Sequence, residues 1–350
     1  MGRTPHALLC LALAGCGAKT GLPVPIDTTC RDVDLSAPTP QVVFAIDRSG
    51  SMDFTLEGLP PDDPRRGEEP SRWELMSAAL PGSLAGRDVE VGAVFYPTIL
   101  DNDPNACGGN ERLDLAPGEG SVDDLARLFA ETDPVGGTPT GSALAVARDY
   151  LENVPPDRAP FVVLVTDGAP NCNPDPVVPP PLCRCTSPVT ERCDPVLNDA
   201  APLHCLDDTS ALEEIAGLRA IGVPVFVLGI TQQGDLADVL DGLALAGGRP
   251  RAEGARRFYD AQTEAELAEA FDAINDSITN CVFSLSAPPP EPGALRVSIN
   301  GEAVPVTAES GWRFANEDQT IITLFGAACI AAEQPDAEVS ADLFCERDDV

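Results

Sequence analysis

The chain has 350 residues, of which 22 are basic and 56 acidic, so its net charge is −34 at pH 7. A negative charge of this size repels nucleic-acid phosphates and anionic lipid surfaces, and it excludes both classes of partner. The length suits one domain of about 200 residues together with a smaller one.

Residues 1–15 have the pattern of a signal peptide. Arg3 supplies a positive charge, and residues 7–14 form an apolar run that is too short to span a bilayer. The sequence Leu13-Ala14-Gly15-Cys16 resembles the site at which bacterial lipoproteins are cleaved before a cysteine that then carries lipid. We therefore predict an extracytoplasmic protein, anchored in the bacterial cell envelope by lipid at Cys16. The alternative is an ordinary secretory signal that is followed by a cysteine by chance.

The elements are predicted from the spacing of apolar residues. Residues 16–40 are polar and contain prolines, which predicts a tether. The elements that follow, in chain order, are a strand over 41–46, a helix over 72–84, a strand over 89–96, helices over 121–131 and 140–153, a strand over 161–166, a helix over 210–221, a strand over 223–229, a helix over 235–246, a short strand over 258–259 and a helix over 263–278. Pro81 is a potential early end of the first helix. This alternation predicts an α/β fold with a doubly wound, mostly parallel sheet over residues 41–280.

Two regions break the alternation. Residues 169–208 carry five cysteines and several prolines, and form a cysteine-rich insertion that no core element requires. Residues 281–350 contain strand-like pieces, and Asn300-Gly301 has the composition of a hairpin turn. We therefore predict a small C-terminal β domain over 281–350.

Polar residues stand at the ends of two predicted strands and before one helix. Asp47, Ser49 and Ser51 follow the first strand, Asp167 follows the strand over 161–166, and Thr138 precedes the helix over 140–153. Ligands of doubly wound sheets bind outside the carboxyl ends of the strands, so we expect these side chains to converge at one edge. All of their donor atoms are oxygens, which suits a hard cation such as Mg²⁺, Mn²⁺ or Ca²⁺. Each segment alone would equally suit a helix cap or a turn.

The three segments, in this order, resemble the metal-ion-dependent adhesion site of the von Willebrand factor type A family. The resemblance covers residues 40–280 and implies a Rossmann-like fold that binds ligands through Mg²⁺ or a similar ion. It implies metal ligands at Asp47, Ser49, Ser51, Thr138 and Asp167, and Thr140 ranks below Thr138. In the family the serine hydroxyls coordinate directly, the threonine does so in some states, and the aspartates often act through water.

Ten cysteines remain when Cys10 and Cys16 are set aside, and an even number in an exported chain predicts up to five disulfides. Six of them follow strands on the metal face and are expected to pair among themselves: Cys107, Cys172, Cys183, Cys185, Cys193 and Cys205. Cys30 and Cys281 flank the domain and resemble the disulfide that closes some members of the family, which would leave Cys329 with Cys345. The insertion cysteines and His204 also offer ligands for zinc, but the oxidising compartment favours disulfides.

The combined pattern predicts a binding module and not an enzyme. Its partner would be a protein or a surface polymer that offers a carboxylate to the ion. One alternative is a structural envelope protein whose ion only stabilises a loop, and another is a metal-assisted hydrolase. A histidine-based hydrolase is excluded because His6 is removed with the signal peptide and His204 alone remains. The sequence also contains no nucleophile-elbow or zinc-protease motif.

Overall fold

The computed structural model describes residues 32–343, apart from 100–105, 119–120, 154, 156–157, 188, 231–235, 252–253 and 308. The predicted signal peptide, Cys16, Cys30 and Cys345 therefore lie outside the described residues. Within the described ranges, no helix has the length and apolar character needed to cross a membrane.

Strands and helices mostly alternate from residue 39 to residue 280, and strands predominate after that. The strands are β1 (Asp32–Val33), β2 (Leu35–Ser36), β3 (Thr39–Asp47), β4 (Glu90–Tyr96), β5 (Arg158–Thr166), β6 (Val225–Gly229), β7 (Tyr259–Asp260), β8 (Val282–Leu285), β9 (Leu295–Ile299), β10 (Glu302–Ala303), β11 (Trp312–Phe314), β12 (Ile321–Leu324) and β13 (Val339–Leu343). The helices are α1 (Arg72–Leu84), α2 (Ser121–Ala130), α3 (Thr140–Leu151), α4 (Asp208–Ala220), α5 (Ala237–Gly247), α6 (Glu264–Asn280) and α7 (Ala327–Ala332). The predicted elements are all present, with ends that differ by a few residues.

The central sheet has five parallel strands in the order β4-β3-β5-β6-β7. Alternate residues of β3 enter different cores, because side chains of a strand point to opposite faces. Val42, Phe44 and Ile46 pack on the side of α1, α2 and α6, whereas Val43 and Ala45 pack on the side of α3, α4 and α5. A strand that is covered on both faces has to be apolar throughout. The predicted α/β class with a doubly wound, parallel sheet is confirmed.

Helix α1 begins at a capping box. The Ser71 hydroxyl accepts a hydrogen bond from the Glu74 N–H at 3.1 Å, and the Glu74 carboxylate accepts one from the Ser71 N–H at 2.7 Å. Pro81 does not end the helix, which continues to Leu84. The last turn is held because Leu80 and Leu84 are buried in the core beneath the sheet.

The capping box predicts a modest stability effect. Replacing Ser71 with alanine should lower the free energy of unfolding by about 1 kcal/mol, because the N–H of Glu74 loses its acceptor. Urea denaturation monitored by circular dichroism measures this loss. Ser77→Ala is the matched control, since Ser77 is half-buried in the same helix and its hydroxyl donates to the Glu74 carbonyl instead of capping a helix end. Equal losses in the two variants would contradict a capping role.

The C-terminal part contains two antiparallel sheets, in the orders β1-β13-β9-β10 and β11-β12-β8-β2. Strands β1 and β2 lie in the segment predicted as a tether, yet they pair with β13 and β8. The hairpin turn predicted at Asn300-Gly301 is confirmed, because both residues have positive φ between β9 and β10. The domain division at residue 280 itself stays a prediction.

The C-terminal sheets pack directly on the α/β part. Val282 and Ile321 belong to the same core as α1 and α6. The Phe325 ring lies 5.5 Å from the guanidinium of Arg219 and 5.7 Å from that of Arg249. Cation–π contacts of this kind and the shared core hold the two parts together.

The disulfides agree with the prediction in one region and differ in another. The six cysteines expected to pair among themselves do so as Cys107–Cys172, Cys183–Cys205 and Cys185–Cys193, so their sulfurs are not thiolate ligands for zinc.

Near the C-terminus, Cys281 is bonded to Cys329. The predicted pairs Cys30–Cys281 and Cys329–Cys345 are therefore wrong. Strand β8, directly after Cys281, pairs with β12, and α7 follows β12 and carries Cys329. This strand pairing brings the two Cα atoms within 5.2 Å of each other.

Candidate metal centre

The site lies where β3 and β5 run side by side at the middle of the sheet. The chain proceeds from β3 to β4 on one side and from β5 to β6 on the other, so a crevice forms at their carboxyl ends. Asp47 is the last residue of β3, and Asp167 directly follows β5. Two carboxylates that are 120 positions apart in the sequence are therefore neighbours at one edge.

The Asp47 carboxylate is fully buried and is held by two hydrogen bonds. One oxygen accepts from the backbone N–H of Ser49 at 2.7 Å, and the other accepts from the Thr166 hydroxyl at 2.6 Å. Sequence reasoning missed Thr166. A hydroxyl residue immediately before Asp167 at the end of a buried strand was the available signal.

The two serines connect Asp47 to Asp167. The hydroxyl oxygens of Ser49 and Ser51 lie 3.0 Å apart, and the Ser51 hydroxyl donates to the Asp167 carboxylate at 2.9 Å. Four of the five predicted ligand residues thus form one hydrogen-bonded cluster of oxygen atoms, which we call the oxygen cluster: Asp47, Ser49, Ser51 and Asp167.

Thr138 reaches this edge through its loop. The Gly50 N–H donates to the Gly136 carbonyl at 3.0 Å, and Gly136 has a φ of +91°, which only glycine adopts readily. The Thr138 N–H donates to the Asn171 side chain at 2.7 Å, and its carbonyl accepts from the Asn171 N–H at 2.9 Å. Among the described residues, no hydrogen bond joins the Thr138 hydroxyl to the oxygen cluster. Thr140 lies at the start of α3, with its hydroxyl 3.5 Å from the Thr138 carbonyl.

Arg72 is a further residue of the site that sequence reasoning missed. Its guanidinium donates to the second oxygen of Asp167 at 2.5 Å, and the side chains of Arg72 and Asp167 are 9% and 1% exposed. The Arg72 N–H also donates to the Phe54 carbonyl, which brings the start of α1 to the site. No local pattern predicts this ion pair, because the two residues lie 95 positions apart.

The site disfavours two ionised carboxylates that have no positive charge between them. Burial and the nearby charge of Asp167 raise the pKa of Asp47 to about 7, although hydrogen bonds from Thr166 and Ser49 act in the opposite direction. A positive charge between the carboxylates stabilises their ionised forms, and Arg72 supplies such a charge only on the side of Asp167.

A second group of potential metal ligands lies in the C-terminal part. Atoms of Cys281, Cys329 and Glu333 come within 4.8 Å of one another. The two sulfurs are joined in a disulfide and are not available as thiolates, so this group is not a metal site.

No protein-family model matches the chain, and no curated protein is similar to it in sequence. Three solved structures similar to it are the PilB minor pilin from Streptococcus sanguinis (19% identity, TM-score 0.47), the manganese-loaded TRAP protein from Plasmodium vivax (18%, 0.42) and the von Willebrand factor domain of the type V pili tip protein Mfa5 from Porphyromonas gingivalis (18%, 0.42). In the same order, the matched regions cover 70%, 69% and 69% of this chain, and 62%, 78% and 96% of the chains in those structures.

The resemblance of the sequence to the von Willebrand factor type A family predicts a parallel sheet with helices on both faces and ligands at the strand ends. The five-stranded sheet, which we call the type A-like sheet, has helices on both faces and the candidate ligands at the carboxyl ends of β3 and β5. The chain spans about 62% of the length of the PilB minor pilin.

Proposed function

We propose that the protein binds a partner through a divalent cation at the carboxyl edge of the type A-like sheet. The ligands would be Asp47, Ser49, Ser51, Thr138 and Asp167, with Mg²⁺ as the expected ion and Mn²⁺ or Ca²⁺ as alternatives. The observation that carries the proposal is the oxygen cluster between the ends of β3 and β5.

The donor set fits a hard cation. Hydroxyl and carboxylate oxygens are preferred by Mg²⁺, Mn²⁺ and Ca²⁺, and the site contains no nitrogen or sulfur donor among its five residues. The serine hydroxyls would bind directly, whereas the aspartates, whose oxygens already accept protein hydrogen bonds, would act through water.

The charge of the site favours an anionic partner group. Arg72 already neutralises part of Asp167, so the two carboxylates offset the charge of a divalent ion incompletely. A carboxylate from a partner would complete both the coordination and the charge balance. The chain would therefore act as an adhesion module outside the cytoplasm, where its disulfides are stable. Lipid attachment at Cys16 is part of the same proposal.

Calorimetric titration of the oxidised protein with Mg²⁺, Mn²⁺ and Ca²⁺ tests the ion site. We expect saturable binding that weakens at least roughly tenfold in a Ser49→Ala/Ser51→Ala variant, because two direct oxygen ligands are lost. Ser77→Ala, in α1 and outside the oxygen cluster, should bind as the wild type does.

Equal binding by the wild type and the double variant would show that the ion lies elsewhere and would contradict the proposal. A variant that loses the ion together with its thermal stability, but keeps its affinity for a carboxylate peptide, would favour the structural alternative.

A further inference from the structure

Most of the exposed large apolar side chains of the described residues lie in the cysteine-rich insertion. The described residues expose eight large apolar side chains, and six of them lie between residues 177 and 197. Val196 and Leu182 are the most exposed, at 88% and 81%. We call the six the aliphatic rim: Val177, Val178, Leu182, Val189, Val196 and Leu197. Exposed apolar patches mark interaction sites, and six such side chains within one segment of 21 residues make this segment the candidate.

The aliphatic rim stands on a cross-linked support. Cys183–Cys205 and Cys185–Cys193 close the segment on itself, and Cys107–Cys172 ties its start to the segment after β4. Disulfides restrict the conformations of the free loop, so less entropy is lost when a partner orders it. The apolar side chains are therefore presented in advance of binding.

The same support is bonded to the candidate metal centre. Asn171 makes two hydrogen bonds to the backbone of Thr138, and its side-chain amide donates to the Thr186 hydroxyl at 2.9 Å. Thr186 lies between two cysteines of the insertion and donates to the His204 carbonyl. One asparagine thus connects a proposed ion ligand to the segment that carries the rim. Since the insertion follows β5, it begins at the same edge of the sheet as the proposed ion site.

The chemistry of the surface selects the kind of partner. A second copy of the chain would bring another net charge of −34, which opposes self-association. Residues 169–208 contain no Phe, Tyr or Trp, so they offer neither rings for stacking on sugars nor the aromatic anchors of membrane interfaces. Aliphatic side chains without aromatic rings fit the apolar surface of a protein.

We infer that the aliphatic rim docks a protein partner whose acidic side chain is flanked by apolar residues. The carboxylate would bind the cation, and the apolar flank would cover the rim. The inference rests on the proposed function for the acidic group and adds the class of the partner and its second contact surface.

A phage-displayed library of random peptides with a fixed central aspartate tests this inference in Mg²⁺. We expect the clones enriched on the wild type to carry apolar residues beside the aspartate. They should bind a Val196→Ser/Leu197→Ser variant roughly tenfold more weakly, because two apolar contacts are lost. The matched control is Leu245→Ser/Val306→Ser, which removes the two large exposed apolar side chains that the described residues carry outside the insertion and should leave binding unchanged.

Clones that bind both double variants alike, or no enrichment on the wild type, would overturn the inference. Two further results would overturn it. The first is a dimer of the wild type that the Val196→Ser/Leu197→Ser variant does not form. The second is sedimentation of the wild type with phosphatidylcholine vesicles that this variant loses. Clones that require the rim but bind equally in chelator would contradict the proposed ion function and not the docking surface. Clones that require the ion but not the rim would contradict the docking surface alone.

Discussion

Replacing Arg72 with methionine is expected to lower the free energy of unfolding by about 3 kcal/mol in the presence of chelator, since removing one partner of a buried ion pair leaves the other uncompensated. The remaining partner would be Asp167, whose side chain is 1% exposed and lies close to Asp47. Methionine keeps most of the length and apolar contact of the arginine. The fall in the free energy of unfolding is therefore due mainly to the missing positive charge.

The same variant should recover much of its stability in saturating Mg²⁺. A divalent cation at the oxygen cluster would compensate Asp167, and the ion should bind more tightly once a nearby positive charge is gone. Urea denaturation with chelator and with Mg²⁺ measures both effects. Arg127→Met serves as the control, because Arg127 forms exposed ion pairs with Asp124 and Glu131. An equal loss in both conditions would show that Arg72 is structural and that the cation does not reach Asp167.

Removing the disulfide between Cys107 and Cys172 by a double serine substitution should lower the free energy of unfolding by about 4 kcal/mol on the chain-entropy account. The bond joins residues 65 positions apart, so its loss frees a long loop in the unfolded state. It also joins the segment before the Thr138 loop to the start of the insertion. Thermal and urea denaturation without reductant measure the change.

The disulfide Cys185–Cys193 provides the matched comparison, because it spans only 8 positions. Its double serine variant should lose about 2.5 kcal/mol on the same account. A loss at Cys185–Cys193 that equals or exceeds the loss at Cys107–Cys172 would contradict the loop-length argument. In that case local packing in the insertion would dominate.

The α/β part was predictable because its signals are local. A parallel strand with helices on both faces must be apolar at every position, and residues 161–166 show this directly in the sequence. The end of such a strand lies at the edge of the sheet, so a polar residue there faces the crevice. Asp47 and Asp167 could be assigned to one edge for this reason, and the structure places both there.

The C-terminal part was less predictable because its strands are short and their partners are distant. Strand β1 has two residues and pairs with β13 at the other end of the described chain. The sequence analysis paired Cys281 with Cys30, but the β8–β12 strand pairing brings Cys281 to Cys329 instead. Pro81 predicted an early end of α1, but the burial of Leu84 outweighs the free-energy cost of a proline inside a helix.

The sequence by itself determined the α/β class, the order of the elements and the oxygen-bearing residues at the strand ends, since each depends on a pattern within a few neighbouring residues. Only the tertiary structure decided which distant groups meet. Arg72 pairs with Asp167, and Asn171 links Thr138 to the insertion, because separate elements pack at one edge of the sheet. Contacts of this kind depend on the packing of whole elements, which no local pattern encodes.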